Sequence, residues 1–98
     1  MTKGSYADRR DSNEGEIIAW FRERGCRVIQ MARSAGYDLQ VFVPGGYAFP
    51  PIEVKNPRYH WDYTDDEREL MVWCHDNGVE YITVTSIEDA EREWGRVH

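Results

Sequence analysis

Residues 36–57, GYDLQVFVPGGYAFPPIEVKNP, leave the chain few ways to fold. Leu39, Val41 and Val43 alternate with Gln40 and Phe42, the period of a strand with one buried face. Pro44-Gly45-Gly46 then turns the chain, because proline fixes φ and glycine tolerates positive φ. The return limb carries Pro50 and Pro51, which offer no N–H to a ladder, so full strand pairing is expected only from Ile52. In Ile52-Glu53-Val54-Lys55, alternation sets Glu53 and Lys55 on one face and the two apolar residues on the other. Pairing the limbs gathers Asp38, Glu53 and Lys55 at one end of the hairpin, three charges in strands that otherwise look bound for a core.

The flanking pattern is helical, then extended, then helical again. Asp11 and Asn13 each have a glutamate three positions on, Glu14 and Glu16, as in a capping box, so a helix is expected from residues 11–13 to Arg24 with Gly25 as its stop. Residues 1–10 read as a flexible, basic N-terminal arm ordered by a partner, and residues 11–98 as one domain. Cys26 to Met31 is a first strand; Thr64 with Glu67 opens a second helix that ends near Asn77-Gly78. Val79 to Thr85 is a last strand, and Ser86 with Asp89 opens a helix to about Trp94. The expected order is α-β-β-β-α-β-α, an α/β domain with a mixed four-stranded sheet flanked by helices.

Charge and cysteine usage bound the function. The 98 residues carry a net charge of −6, unevenly: residues 1–60 hold nine Lys/Arg against seven Asp/Glu, and residues 61–98 three against eleven, so the first part is +2 and the rest −8. Tight nonspecific DNA binding needs many phosphate contacts, which this balance opposes. A local basic surface around Lys3, Arg9, Arg10, Arg33, Lys55 and Arg58 is still compatible with it. Cys26 and Cys74 are too few and too far apart for a disulfide framework or a zinc site, and His60, His75 and His98 lack metal-ligand spacing. No stretch approaches the roughly 20 apolar residues of a membrane span, and a cytoplasmic protein with no organic cofactor is expected.

Helical spacing selects the carboxylate that could join the hairpin charges. Glu14, Ile17, Ile18 and Phe21 fall at i, i+3, i+4 and i+7, so Glu14 continues the apolar stripe, whereas Glu16 lies with Ala19, Trp20 and Glu23 nearer the solvent. On the second helix Glu67 is in line with Leu70, Met71 and Cys74. Glu14 is the stronger candidate; Glu67 and Glu16 are supporting ones. Carboxylates converging in an apolar setting repel one another and call for a cation. Oxygen-only ligands suit Mg²⁺ or Mn²⁺, with Asp38, Glu53 and Glu14 as ligands and Lys55 beside them to stabilise charge on a phosphoryl group. That chemistry is phosphodiester hydrolysis.

GYD at 36–38 followed by EVK at 53–55 resembles the PD-(D/E)xK nucleases, here with Tyr37 in place of the proline of the family's name. The similarity extends over about residues 11–90 and is greatest to small phage and prophage VRR-NUC-like proteins and to archaeal-type Holliday-junction resolvases. In those groups a helical Glu precedes the first strand, as in SNEGEII, and a segment like YTDDERELMVW follows the E-x-K strand, often with Gln where this chain has Glu67. The resemblance implies a restriction-endonuclease-like core and Mg²⁺-dependent DNA cleavage, in several members at branched structures and as homodimers, in a phage or bacterial host cytoplasm. A non-catalytic binding or assembly module that kept the fold, within a phage nucleic-acid-processing complex, is the competing expectation. An intact set of Glu14, Asp38, Glu53 and Lys55 favours the nuclease, and the acid-rich surface is what such a module would use.

Overall fold

β2 (Leu39–Val43) is the strand around which the sheet assembles, since Leu39, Val41 and Val43 are all buried. The computed structural model describes residues 2–59 and 61–97, with side chains from Asn13 onward. On one side of β2, β1 (Arg27–Gln30) pairs antiparallel, with Val28 opposite Val41 and Gln30 opposite Leu39. After the turn, β3 (Tyr47–Ala48) folds back on the other side, with Tyr47 opposite Val43. Gly45 and Gly46 take φ of 101° and 97°, open to glycine at no steric cost.

The prolines decide what happens next. Phe49 N–H still donates to the Val41 carbonyl at 2.9 Å. Pro50 and Pro51 then interrupt the ladder, and Gln40 Nε2 bonds the Phe49 carbonyl at 3.0 Å instead. β4 (Ile52–Val54) rejoins β2 only at Ile52, opposite Leu39, and runs parallel to β5 (Ile82–Val84) with Glu53 beside Thr83. The strand order is β1-β2-β4-β5 with β3 attached to β2. The sheet is mixed, as expected, but has five strands rather than four among the described residues, because the prolines split the return limb in two.

Among the described residues three α-helices complete the order: α1 (Thr2–Glu23), α2 (Asp65–Asp76) and α3 (Ile87–Val97). α1 begins at Thr2, not at residues 11–13; no proline stands in residues 2–13 to stop it, and it runs through most of the segment read as an arm. Asn13 is therefore inside the helix, where its side chain is free of capping and donates to the Lys55 carbonyl at 2.8 Å. Ile17, Ile18 and Phe21 are buried with Val28, Leu39, Val41 and Ile52 in one core, as the apolar stripe requires. Trp20, expected nearer the solvent, is also buried, because α3 lies beside α1 and Trp94 meets it edge-on at 5.9 Å between ring centroids.

α2 covers the opposite face. Its start carries the expected capping box, with Thr64 Oγ1 accepting from Glu67 N–H and the Glu67 carboxylate accepting from Thr64 N–H. A 3₁₀ turn at Arg33–Ala35 ends in Gly36, whose φ is 84°. A Cβ there would lie 2.7 Å from the Asp66 carbonyl oxygen, so only glycine lets the segment before β2 lie against α2. At α3, Ser86 Oγ accepts from Asp89 N–H at 3.2 Å, as its spacing predicts. Cys26 and Cys74 are free, buried thiols. Among the described residues no helix is long and apolar enough to cross a membrane.

Candidate active site

The candidate residues meet where β2 and β4 part. Asp38 N–H donates to the Ile52 carbonyl at 3.0 Å, and two residues further along β4 the Asp38 carboxylate itself accepts from Val54 N–H at 2.8 Å. A side chain thus replaces the ladder partner that the diverging backbone no longer supplies. The Asp38 carbonyl is held in turn by Met31 N–H at 2.8 Å. Asp38 is fixed from both neighbouring segments.

Glu53 is the most constrained of the group. Ile52 and Val54 point into the core, so alternation turns Glu53 to the α2 face, where it is 2% exposed. Burial pushes its pKa to about 9, helped by its hydrogen bond to Glu67 and by the negative charges of Asp38 and Glu67; Lys55 opposes the shift. Near neutral pH the Glu53 carboxyl therefore keeps its proton and shares it with the Glu67 carboxylate. Tyr81 OH, which donates to the Gly36 carbonyl at 2.7 Å, lies 3.4 Å from Glu53 Oε1 and ties the segment before Asp38 to Glu53. Burial, together with the charges of Glu53, Glu67 and Asp38, holds the Tyr81 phenol well above its ordinary pKa, so it remains a donor.

Lys55 lies across the Glu53 carboxyl and the Glu67 carboxylate. Its Nζ is 3.2 Å from Glu53 Oε2, 3.0 Å from Glu67 Oε1 and 2.8 Å from the Asp62 carbonyl oxygen, which uses all three ammonium hydrogens. Burial works against its charge, but Glu67 and Glu53 outweigh burial and raise its pKa. Glu67 shows the converse: burial would raise its pKa, yet hydrogen bonds from Glu53, Thr64 N–H and Lys55 hold it below the ordinary carboxylate value. Its carboxylate thus caps α2 and holds the lysine at once.

Asp38, Glu53, Lys55 and Glu67 are therefore brought together, and Glu14 takes a bond from β1. Glu14 is buried, as its place on the apolar stripe predicts, but it accepts from Gln30 Nε2 at 3.2 Å. The reason is the face: α1 packs on the Leu39 side of the sheet, and Gln30 lies opposite Leu39, whereas Glu53 faces α2. Glu14 stands next to Asn13, whose amide holds the Lys55 carbonyl, so it approaches the end of β4 from the other side. Glu16 is exposed. Arg33 and Arg58 are exposed on separate segments, the 3₁₀ turn and the β4–α2 loop. The side chains of Lys3, Arg9 and Arg10 lie outside the described residues.

Tyr81, Asn13 and the Asp62 carbonyl were not read from the sequence as parts of the site. Tyr81 had a usable signal: Tyr81-Ile82-Thr83-Val84 alternates, so once β5 lies beside β4, Tyr81 and Thr83 share the Glu53 face. The other two depend on which main-chain carbonyl reaches which side chain, and no spacing encodes that.

Among the described residues no three His, Cys, Asp or Glu side chains are grouped to hold a metal ion. The donor chemistry nonetheless fits a hard divalent cation: Asp38 and Glu53 offer only oxygen, and Glu53 is kept protonated first by burial and then by its bond to Glu67 and the negative charge around it. Additional positive charge at that point would relieve the repulsion. Comparison with protein-family models, with curated proteins and with solved structures finds no match to the chain.

Proposed function

We propose that the chain is a divalent-metal-dependent endodeoxyribonuclease of the PD-(D/E)xK type. One observation carries this reading: a carboxyl buried to 2% exposure and pushed to about pKa 9 stands 3.2 Å from a lysine, beside a second carboxylate, where two core strands separate. Such an arrangement costs stability and is characteristic of sites rather than of cores. Asp38 and Glu53 would hold Mg²⁺ or Mn²⁺, which would polarise the phosphodiester and acidify a bound water. Lys55 supplies a fixed positive charge for the phosphoryl oxygen that gains charge in the transition state. Glu67 and the Asp62 carbonyl hold its ammonium group, and Tyr81 keeps Glu53 aligned with the segment before Asp38. Glu14 contributes a further carboxylate near the end of β4 by way of α1.

The test is a cleavage panel with and without Mg²⁺ on single-stranded, duplex, flap and four-way-junction DNA. Wild-type protein cuts at least one substrate only with the metal, and Asp38→Asn abolishes cutting without lowering the melting temperature. Undiminished cutting by Asp38→Asn removes the assignment. A homodimer suits a substrate with two equivalent strands, and light scattering with and without DNA reads that directly.

A second reading has its own observation. All three hydrogens of Lys55 Nζ are taken, one by the carboxylate of Glu67, so the lysine is held as a structural cation would be. That favours a non-catalytic binding or assembly module built on the same fold. Glu67→Gln separates the two: a nuclease keeps cutting, since the amide oxygen still accepts from Lys55, whereas a module shows no cutting in either form.

A further inference from the structure

The loop that joins β4 to α2 carries chemistry that the reaction centre does not use. Tyr59 and Trp61 on this loop are 41% and 39% exposed. Trp61 stands edge-on to Tyr63 at 5.7 Å, and Tyr63 in turn lies under Lys55, whose Nζ is 5.2 Å from its ring centroid. The loop is tied down at its far end, by Lys55 Nζ on the Asp62 carbonyl at 2.8 Å and by Tyr63 OH with Thr83 Oγ1 at 2.9 Å. Exposed aromatics are therefore carried on a segment braced against the proposed reactive lysine. The near end of the same loop, Asn56 to Arg58, forms one wall of a cleft of about 490 Å³ whose other walls include Asn13, Ser86, Glu16 and Glu88, so two carboxylates face one arginine there and oppose a phosphate, leaving the aromatics as the contact surface.

We infer that this loop binds an unpaired stretch of a DNA strand, with Trp61 and Tyr59 stacking on its bases. The inference rests on the nuclease reading for its choice of nucleic acid, and it adds the part of the substrate that is recognised. Charge is the deciding consideration. At a net charge of −6 the protein cannot draw much affinity from phosphates. Stacking on an aromatic face needs no net positive charge and tolerates any base. In a continuous duplex the base faces are covered by their neighbours, so the aromatic pair selects strands whose bases are unstacked. Asp62, the acidic residue on the loop, is engaged by Arg68 at 2.8 Å, which lowers its repulsion of a phosphate.

The test is a titration of the full chain, in the absence of metal, with a short oligo-dT and with a blunt duplex, followed by tryptophan fluorescence and repeated at several salt concentrations. Wild-type protein binds the single strand in preference to the duplex, with quenching and a shallow salt dependence. Trp61→Ala weakens binding about 5- to 100-fold, the scale of one lost base stack. Trp61→Phe restores most of the affinity without the quenching, and Trp73→Ala, an exposed tryptophan on α2, leaves both unchanged. Equal affinity of wild type and Trp61→Ala for oligo-dT overturns the inference, as does tighter binding of duplex. If metal-dependent cleavage is then still seen, the nuclease reading survives alone; if the strand binds through Trp61 and no substrate is cut, the loop assignment stands and the nuclease reading falls.

Discussion

Glu53→Gln should make the metal-free protein more stable at alkaline pH and leave it nearly unchanged in acid. An ordinary glutamate ionises near 4.5, and burial beside Glu67 and Asp38 raises Glu53 to about 9. Between those values the folded chain holds a proton that the unfolded chain has released. The contribution of the group to stability is thus fully present below about pH 4.5 and is lost as pH climbs through about 9. One whole proton is worth about 1.36 kcal/mol per pH unit, so from pH 6 to pH 8 the upper limit is roughly 2.7 kcal/mol. Because Glu67 and Lys55 share the proton and the charge, a loss of about 1–2.7 kcal/mol is expected over that interval. Glutamine cannot ionise, keeps the shape, can accept from Tyr81 and can donate to Glu67. Urea unfolding of both proteins in a chelator at several pH values measures the difference directly, and the histidines cancel because both proteins contain them. Parallel pH profiles, or a variant less stable than wild type at pH 8, would refute the electrostatic account of the site.

Added Mg²⁺ at a hundredfold excess over Kd should stabilise wild type at pH 8 by about 2.7 kcal/mol, read as a higher melting temperature, and should not stabilise Glu53→Gln; an equal rise in both excludes Glu53 as a ligand. Lys55→Ala should reduce turnover far more than DNA affinity, since one lysine is a small part of binding but has a specific place in the transition state, and equal losses recast it as a phosphate anchor. Glu14→Gln should weaken Mg²⁺ binding and cleavage, whereas Glu16→Gln, exposed on α1, should shift stability by less than about 0.5 kcal/mol and leave cleavage intact; wild-type cleavage by Glu14→Gln confines that residue to its bond with Gln30. Gly36→Ala should cost at least about 2 kcal/mol, because a left-handed backbone and a 2.7 Å approach of Cβ to the Asp66 carbonyl act together; a melting temperature within a degree of wild type would show that α2 yields easily there.

Local periodicity determined much of this protein before any contact was known. Alternation in residues 39–43 and 52–55 sets Glu53 against the core residues Ile52 and Val54, and helical spacing buries Glu14 with Ile17, Ile18 and Phe21. The capping box at Thr64 and Glu67 was equally legible, since it needs only residues three apart. These are short-range facts of backbone geometry, and the chain carries them wherever it goes.

Tertiary structure decided which faces meet. Glu14 is buried as its spacing requires, and the packing of α1 on the Leu39 side brings it a hydrogen bond from Gln30 of β1. Trp20 is buried by α3, a helix some 70 residues later in the chain, which the pattern around Trp20 does not register. Glu67 reads as a cap in sequence and becomes a partner of Lys55 only because the first turn of α2 lies beside the end of β4. Tyr81 joins the site because β5 lies parallel beside β4, and that pairing is long-range. The pKa of Glu53 belongs to this second class, because desolvation and the charges of Asp38, Glu67 and Lys55 act through space, on a residue whose own sequence neighbours predict only a strand.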